Sequence, residues 1–191
     1  MATTKVGTRE VWLRNAIERL APIIKKAATQ GDLPPVYVSV GFPKGARGRG
    51  REIGQCWDGQ SSRDGQQHVF ICPTLADAEQ VLPVLLHELI HATVGCAEKH
   101  RGHFAKTMKA AGMVKPFTCS VPSPELSAAL SKIAEALGPY PHAALAIPVR
   151  GSKGSRLRLW ECGCGVKVRV ARDEFNATCD DCSQPFERKE A

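Results

Sequence analysis

Apolar residues recur every three or four positions across residues 11–28, where Trp12, Ala16, Ile17, Leu20 and Ile24 share one face. That period predicts an amphipathic helix. Pro22 lies inside it, a position at which proline kinks a helix. Gly31-Asp32 and Pro34-Pro35 end the segment. The pattern then shortens to three expected strands, at residues 36–40, 53–57 and 68–72. Residues 43–50, rich in Gly, Lys and Arg, and the polar residues 58–67 read as the loops between them. A second helical pattern covers residues 75–94 and stops at Gly95. Thr74, with Asp77 three residues on, resembles a capping box. Pro83 leaves two options: a short helix ending near Leu82, or a main helix beginning there with proline in its first turn. In both, residues 84–94 are helical. Further helices are expected at 103–111, before Gly112, and at 124–137. From Gly138 to Ser155 periodicity fades among three prolines and three glycines. The expected organisation is an α+β domain over residues 1–140, a linker over 141–155 and a cysteine-bearing module over 156–191.

Composition narrows the class. A chain of 191 residues, 43% hydrophobic, suits one ordinary domain plus a small appendage. No apolar run reaches the roughly 18–20 residues that span a bilayer, so no membrane partner is expected. The first ten residues lack the apolar stretch of a signal peptide, and the expected compartment is the cytoplasm. Thiols stay reduced there, so clustered cysteines point to metal rather than disulfides. Of the eight cysteines, Cys56, Cys72, Cys96 and Cys119 are scattered and read as buried or incidental thiols. The net charge of +7 favours polyanions without identifying one.

The chemistry concentrates in His87-Glu88-Leu89-Ile90-His91. Histidines at i and i+4 share a helix face and can turn both imidazoles toward one metal ion. Zinc prefers such ligands in tetrahedral geometry, and a catalytic zinc keeps one position for water. Glu88 then serves as the general base in attack of activated water on an amide carbonyl. Leu85, Leu86, Leu89, Ile90 and Val94 flank the motif, so the helix is expected to be buried, where His and Glu need partners. A third ligand is required. The metzincin pattern would place Gly at position 94 and His at 97, where this chain has Val94 and Ala97. Glu98, His100 and His103 remain. The oxyanion-stabilising group is not evident, with Arg101 and His103 as candidates.

With His100-Arg101-Gly102-His103-Phe104 following, the sequence resembles the SprT-like or Spartan-type metalloproteases, which carry HExxH and then a His-Gly-x-x-Phe element. The resemblance implies a zincin-like α+β core, zinc-dependent proteolysis, and action on DNA-bound or DNA-crosslinked proteins. Matching the His-to-Phe spacing implies His100 as the third zinc ligand. Arg101 stands where the family has glycine, which leaves His103 as a rival. The expected setting is the cytoplasm of a bacterial or phage-infected cell. The expected partners of a monomeric chain are a protein substrate and DNA.

Near the end, Cys162-Gly-Cys164 and Cys179-Asp-Asp-Cys182 form two ligand pairs. Four thiolates at this spacing predict a closed structural zinc site in a zinc ribbon. About 35 residues hold little core, so metal supplies most of the folding energy. Basic residues gather here: Arg150, Lys153, Arg156, Arg158, Lys167, Arg169 and Arg172. Lys44, Arg47, Arg49 and Arg51 form a second cluster. Arg156, Arg158, Lys167 and Arg169 are the candidate nucleic-acid contacts, with Trp160 and Phe175 as either base-stacking surfaces or ribbon core. The leading expectation is a zinc endopeptidase with one catalytic and one structural zinc. Its rivals are a nucleic-acid-binding adaptor with a non-catalytic zinc core and a zinc hydrolase of small amides.

Overall fold

Thr8 opens the first helix, α1 (Arg9–Ala27), by accepting the Val11 N–H with its hydroxyl. The computed structural model describes residues 7–43, 52–146 and 157–189. The helix carries Pro22 within it and buries Trp12, Leu13, Ala16, Leu20 and Ile24, the face its periodicity marks out. Strands β1 (Val36–Val40), β2 (Gly54–Trp57) and β3 (Gln67–Ile71) form one sheet in the order β1-β3-β2. β1 runs parallel to β3 and β2 antiparallel to it. The basic cluster from Lys44 to Arg51 lies outside the described residues.

Helix α2 (Ala78–Val94) is the centre of the fold. It packs against β2, β3, α1, the helix α3 (Gly102–Ala110) and the helix α4 (Pro124–Leu137). From Val81 to Val94 every residue of α2 is buried, so its surroundings are closed on nearly all sides. The helix starts three residues later than its periodicity predicts. Asp77, not Thr74, caps it, accepting the Glu79 N–H at 2.9 Å. One continuous helix runs through Pro83, so neither predicted break occurs; Pro83 lies in the second turn and is buried. Gly95 ends the helix with φ +96, a conformation open to glycine at little cost.

A two-stranded ribbon, β4 (Met113–Val114) with β5 (Val121–Pro122), links α3 to α4. Two-residue strands carry no periodicity, and none is predicted there. Ser123 caps α4 by accepting the Leu126 N–H, and the helix spans the predicted residues. The core joins these elements through Leu82, Leu85, Leu86, Leu89, Phe104 and Met108, all fully enclosed. The architecture is α+β.

The chain divides into two compact units, residues 1–147 and 148–191. Residues 141–146 belong with the first unit for an electrostatic reason. The buried Arg9 guanidinium donates to the carbonyls of Pro141 (2.8 Å), Ala143 (3.0 Å), Pro73 (3.1 Å) and His142 (3.3 Å). It also lies 4.8 Å from the Tyr140 ring centre. A desolvated cation must find such acceptors, and these draw the chain after α4 back onto α1.

In the second unit, β6 (Arg158–Glu161), β7 (Lys167–Val170) and β8 (Glu187–Lys189) form an antiparallel sheet in the order β7-β6-β8. Its small core is aromatic. Trp160 meets Phe175 edge-on at 5.7 Å, and Phe175 meets Phe186 at 5.9 Å. Of the two readings open for Trp160 and Phe175, this packing selects ribbon core.

Candidate metal centres

Helical spacing puts His87 and His91 one turn apart on α2, both buried. The third imidazole arrives from the turn between α2 and α3. There Lys99 has φ +51 and Gly102 φ +52, and the Glu98 carboxylate accepts the His103 N–H at 3.0 Å. That bond satisfies one of the open donors at the start of α3. A side chain at position 102 would run into the Glu98 carboxylate. The turn therefore holds His100 over α2 with glycine at 102 and arginine at 101.

The Nε2 atom of His100 lies 3.3 Å from Nε2 of His87 and 3.3 Å from Nε2 of His91. Two nitrogens bound to one zinc at about 2.0–2.1 Å in tetrahedral array are separated by about 3.3 Å. The donor set thus fits a tetrahedral ion. Burial and the neighbouring His100 hold His87 down at about 4, and burial with His87 and His100 holds His91 at about 3. Burial also lowers His100. All three rings are neutral at pH 7 and offer lone pairs. Neutral nitrogens cannot all face one point without a proton or cation between them. The Nδ1 atoms of His87 and His91 are buried with no hydrogen-bond partner among the described residues. An unmade bond of that kind costs about 1–3 kcal/mol, so stability is given up on the side of each ring away from the converging Nε2 atoms.

His103 points elsewhere: its Nδ1 meets the Thr29 hydroxyl at 3.3 Å. The ring that braces the cluster is Phe104. It stacks on His91 at 4.0 Å and meets His87 and His100 edge-on at 5.1 and 5.2 Å. Phe104 is wholly buried. In the sequence it served only as a spacing marker.

Glu88 lies beside the histidines, 7% exposed. Burial pushes its carboxyl up to about 8, and the Cys96 thiol adds to the rise. The main-chain N–H of Cys56 on β2 donates to it and opposes the rise. Gly54 on the same strand makes room for it: a Cβ there would stand 2.6 Å from Oε1 of Glu88 and 2.7 Å from Cγ1 of Val84. A cleft of about 550 Å³ joins these parts, lined by Gly54, Glu88 and the three histidines. Lys99, Thr118 and Ser120 also line it. None of these last three carries a sequence signal. Arg101 and His103, the candidates for oxyanion stabilisation, are not among its lining residues.

No family model, curated protein or solved structure matches this chain.

In the second unit the sulfurs of Cys162, Cys164, Cys179 and Cys182 lie within 4.8 Å of one another. Cys164 and Cys179 are 3.7 Å apart, close to the roughly 3.8 Å between thiolates on a tetrahedral zinc. Cys162 and Cys164 are 3.0 Å apart and unbonded. Two turns present them. Gly165, at φ +89, returns its N–H to the Cys162 carbonyl at 2.9 Å. Ser183 returns its own to the Cys179 carbonyl at 2.8 Å. The basic residues divide. Arg158 pairs with Asp173 at 2.9 Å and Lys167 approaches Glu161 at 3.9 Å. Lys167 and Arg169 alternate on the exposed side of β7. Arg156 lies outside the described residues. Among the described residues, no helix is long and apolar enough to cross a membrane.

Proposed function

We propose that this chain is a zinc-dependent endopeptidase of the SprT-like, zincin type, with His87, His91 and His100 as metal ligands and Glu88 as general base. The observation that carries the reading is the pair of 3.3 Å Nε2 separations beside a buried glutamate on one cleft. Zinc in such a site polarises a carbonyl oxygen and lowers the pKa of water from about 15.7 to roughly 7. The residues do the rest. Glu88 takes the proton from water on one carboxylate oxygen as the oxygen adds to the amide carbon, then returns it to the departing nitrogen. Burial raises this carboxyl while a cation nearby favours its charged form, so the two influences oppose each other on the group that must both take and return the proton. Gly54 and the Cys56 N–H fix where that carboxylate sits. β2 is one of the two outer strands of the described sheet and lines the cleft. An extended polypeptide can lie against such a strand, which favours a protein substrate over a small amide.

The four cysteines would hold a second, structural zinc. The ribbon's exposed Lys167 and Arg169, with the chain's net charge of +7, support recruitment to nucleic acid and so to proteins bound there. The deciding experiment is Glu88→Gln. Cleavage of casein or histone by the zinc-loaded chain should fall by about 10²–10⁴-fold, the usual worth of a general base. Metal content should stay at two zinc ions per chain. An unchanged cleavage rate would remove Glu88 as the base, and no cleavage by the unsubstituted zinc-loaded chain would return the adaptor reading.

A further inference from the structure

Two thiols remain outside the proposed metal chemistry yet line the same cleft. Cys56 lies on β2 and Cys96 in the turn that follows α2, forty residues apart, and their sulfurs are 3.5 Å from each other. Both are half-buried and open to the cleft. The other scattered thiols differ: Cys72 is buried beside the Thr74 hydroxyl, and Cys119 is exposed. We propose that Cys56 and Cys96 form a reversible dithiol–disulfide pair that responds to low-molecular-weight disulfides and tightens the cleft when oxidised.

A disulfide has S–S of about 2.05 Å, so closing this pair draws the sulfurs together by about 1.5 Å. Their carriers are the outer strand β2 and the turn that follows α2, and both line the cleft with Glu88. The polarity of the pair is set by its neighbours. One proton lies between the two sulfurs, the Cys96 S–H reaching the Cys56 sulfur at 3.5 Å, and the contact holds Cys96 below its ordinary value. Cys56 is held above its own by that contact, by burial, and by the charges of Cys96, Glu88 and Asp58. Cys96 is therefore the attacking sulfur. Its thiolate displaces one half of an external disulfide as thiolate and forms a mixed disulfide. The Cys56 sulfur then attacks the Cys96 sulfur and releases the second half. Two protein S–H bonds and one external S–S become one protein S–S and two external thiols. The protein loses two electrons, the external disulfide gains them, and both protons leave on the released thiols.

The consequence for turnover rests on the peptidase reading; the thiol chemistry does not. Because the Cys56 N–H holds Glu88, a shift of β2 by an ångström displaces the general base. Misplacement on that scale costs on the order of 10²-fold in rate.

The test uses the full chain loaded with zinc, incubated across ratios of oxidised to reduced glutathione, then alkylated. Intact mass and peptide mapping read the result. The expected product is a Cys56–Cys96 cross-linked peptide, with both thiols recovered in reduced glutathione. Cys56→Ser should stop at one glutathione on Cys96, and Cys96→Ser should leave Cys56 free. The pairing is overturned if both thiols stay alkylatable at the highest oxidised ratio, or if each takes up glutathione separately. Casein cleavage, measured in parallel, should fall on the order of 10²-fold on oxidation and recover on reduction. A cross-linked chain that cleaves at the reduced rate overturns the gating. A chain inactive in both states, while the cross-link forms and reverses, removes the peptidase reading and leaves the pair standing.

Discussion

Two of the three clustered histidines sit on a helix that is packed within the core. Leu82, Leu85, Leu86 and Leu89 of α2 are fully enclosed, and Phe104 braces the rings from behind. The unit that carries the four-cysteine cluster has Trp160, Phe175 and Phe186 packed on one another, and of these three Trp160 alone is buried. The first site is built by a core; the second must build one. Their donors differ in the same sense. Three imidazoles would leave an open position on a bound tetrahedral ion, whereas four thiolates would close its coordination sphere. A site that reacts needs a scaffold indifferent to its metal, and a site that folds does not.

Chelation breaks this contrast most strongly. Removing metal should unfold residues 157–189 outright, since structural zinc contributes about 10–16 kcal/mol to such modules. Residues 7–146 should keep their helices. Amide chemical shifts would separate the two: ribbon resonances collapse to random-coil positions while those of α1 to α4 stay dispersed. A ribbon that remains dispersed without metal would equate the two sites.

Phe104→Ala tests the scaffold from the other side. Losing a wholly buried phenylalanine costs about 3–5 kcal/mol, here with the support behind all three rings. Denaturant unfolding of the first unit should show that loss. Equilibrium dialysis should show weaker binding of one zinc and unchanged binding of the other. If both ions weaken together, the sites are not independent.

How far the chain could be read in advance follows the range of the interactions. α4 was legible because its proline, its serine cap and its apolar face all lie within fifteen residues. The pair His87–His91 was legible because one helical turn fixes it. The start of α2 was misplaced because Thr74 and Asp77 are equally good local caps, and only the packed helix chooses. His100 against His103 could not be decided from spacing alone: the choice is made by Glu98 capping α3 and by a positive φ at Gly102. The contacts Cys56–Cys96, Gly54–Glu88 and Arg9 to residues 141–143 join segments between 34 and 134 residues apart. Each residue alone looks ordinary, and only tertiary packing brings them together.

Acidity acts on the core site with a sign that can be worked out for the metal-free chain. His87 and His91 are depressed from 6.5 to about 4 and about 3. The unfolded chain therefore binds protons first as pH falls below 6.5, and stability is lost. Glu88 is raised from 4.5 to about 8. The folded chain therefore holds its proton between those values, and that contribution is lost as pH rises through 8. Two histidines against one glutamate leave about one net proton, or about 1.4 kcal/mol per pH unit, on the acid side, and the lowered His100 adds to the same loss. Stability should peak near pH 6.5 and fall on both sides in urea unfolding from pH 5 to 8.5. Glu88→Gln should flatten the alkaline limb. A curve rising steadily into acid would contradict the burial of these rings.

The smallest effect belongs to the ribbon's surface. Arg158 is held by Asp173, so its charge is partly spent within the fold, and Arg188 leans on the same carboxylate at 3.8 Å. Arg169 projects from the exposed side of β7, two residues from Lys167, on a strand whose other side faces the sheet's core. If the ribbon follows a phosphate backbone, each contact releases a counterion and contributes about 0.7–0.9 to the slope of log affinity against log salt. Arg169→Ala should lower that slope by roughly one contact for both single- and double-stranded DNA, with affinity reduced alike across sequences. Arg158→Ala should lower it less, because its charge is already compensated. Equal losses from the two variants would mean the ion pair does not discriminate. No loss from Arg169→Ala would remove β7 from the nucleic-acid surface and leave the ribbon's zinc with folding as its sole work.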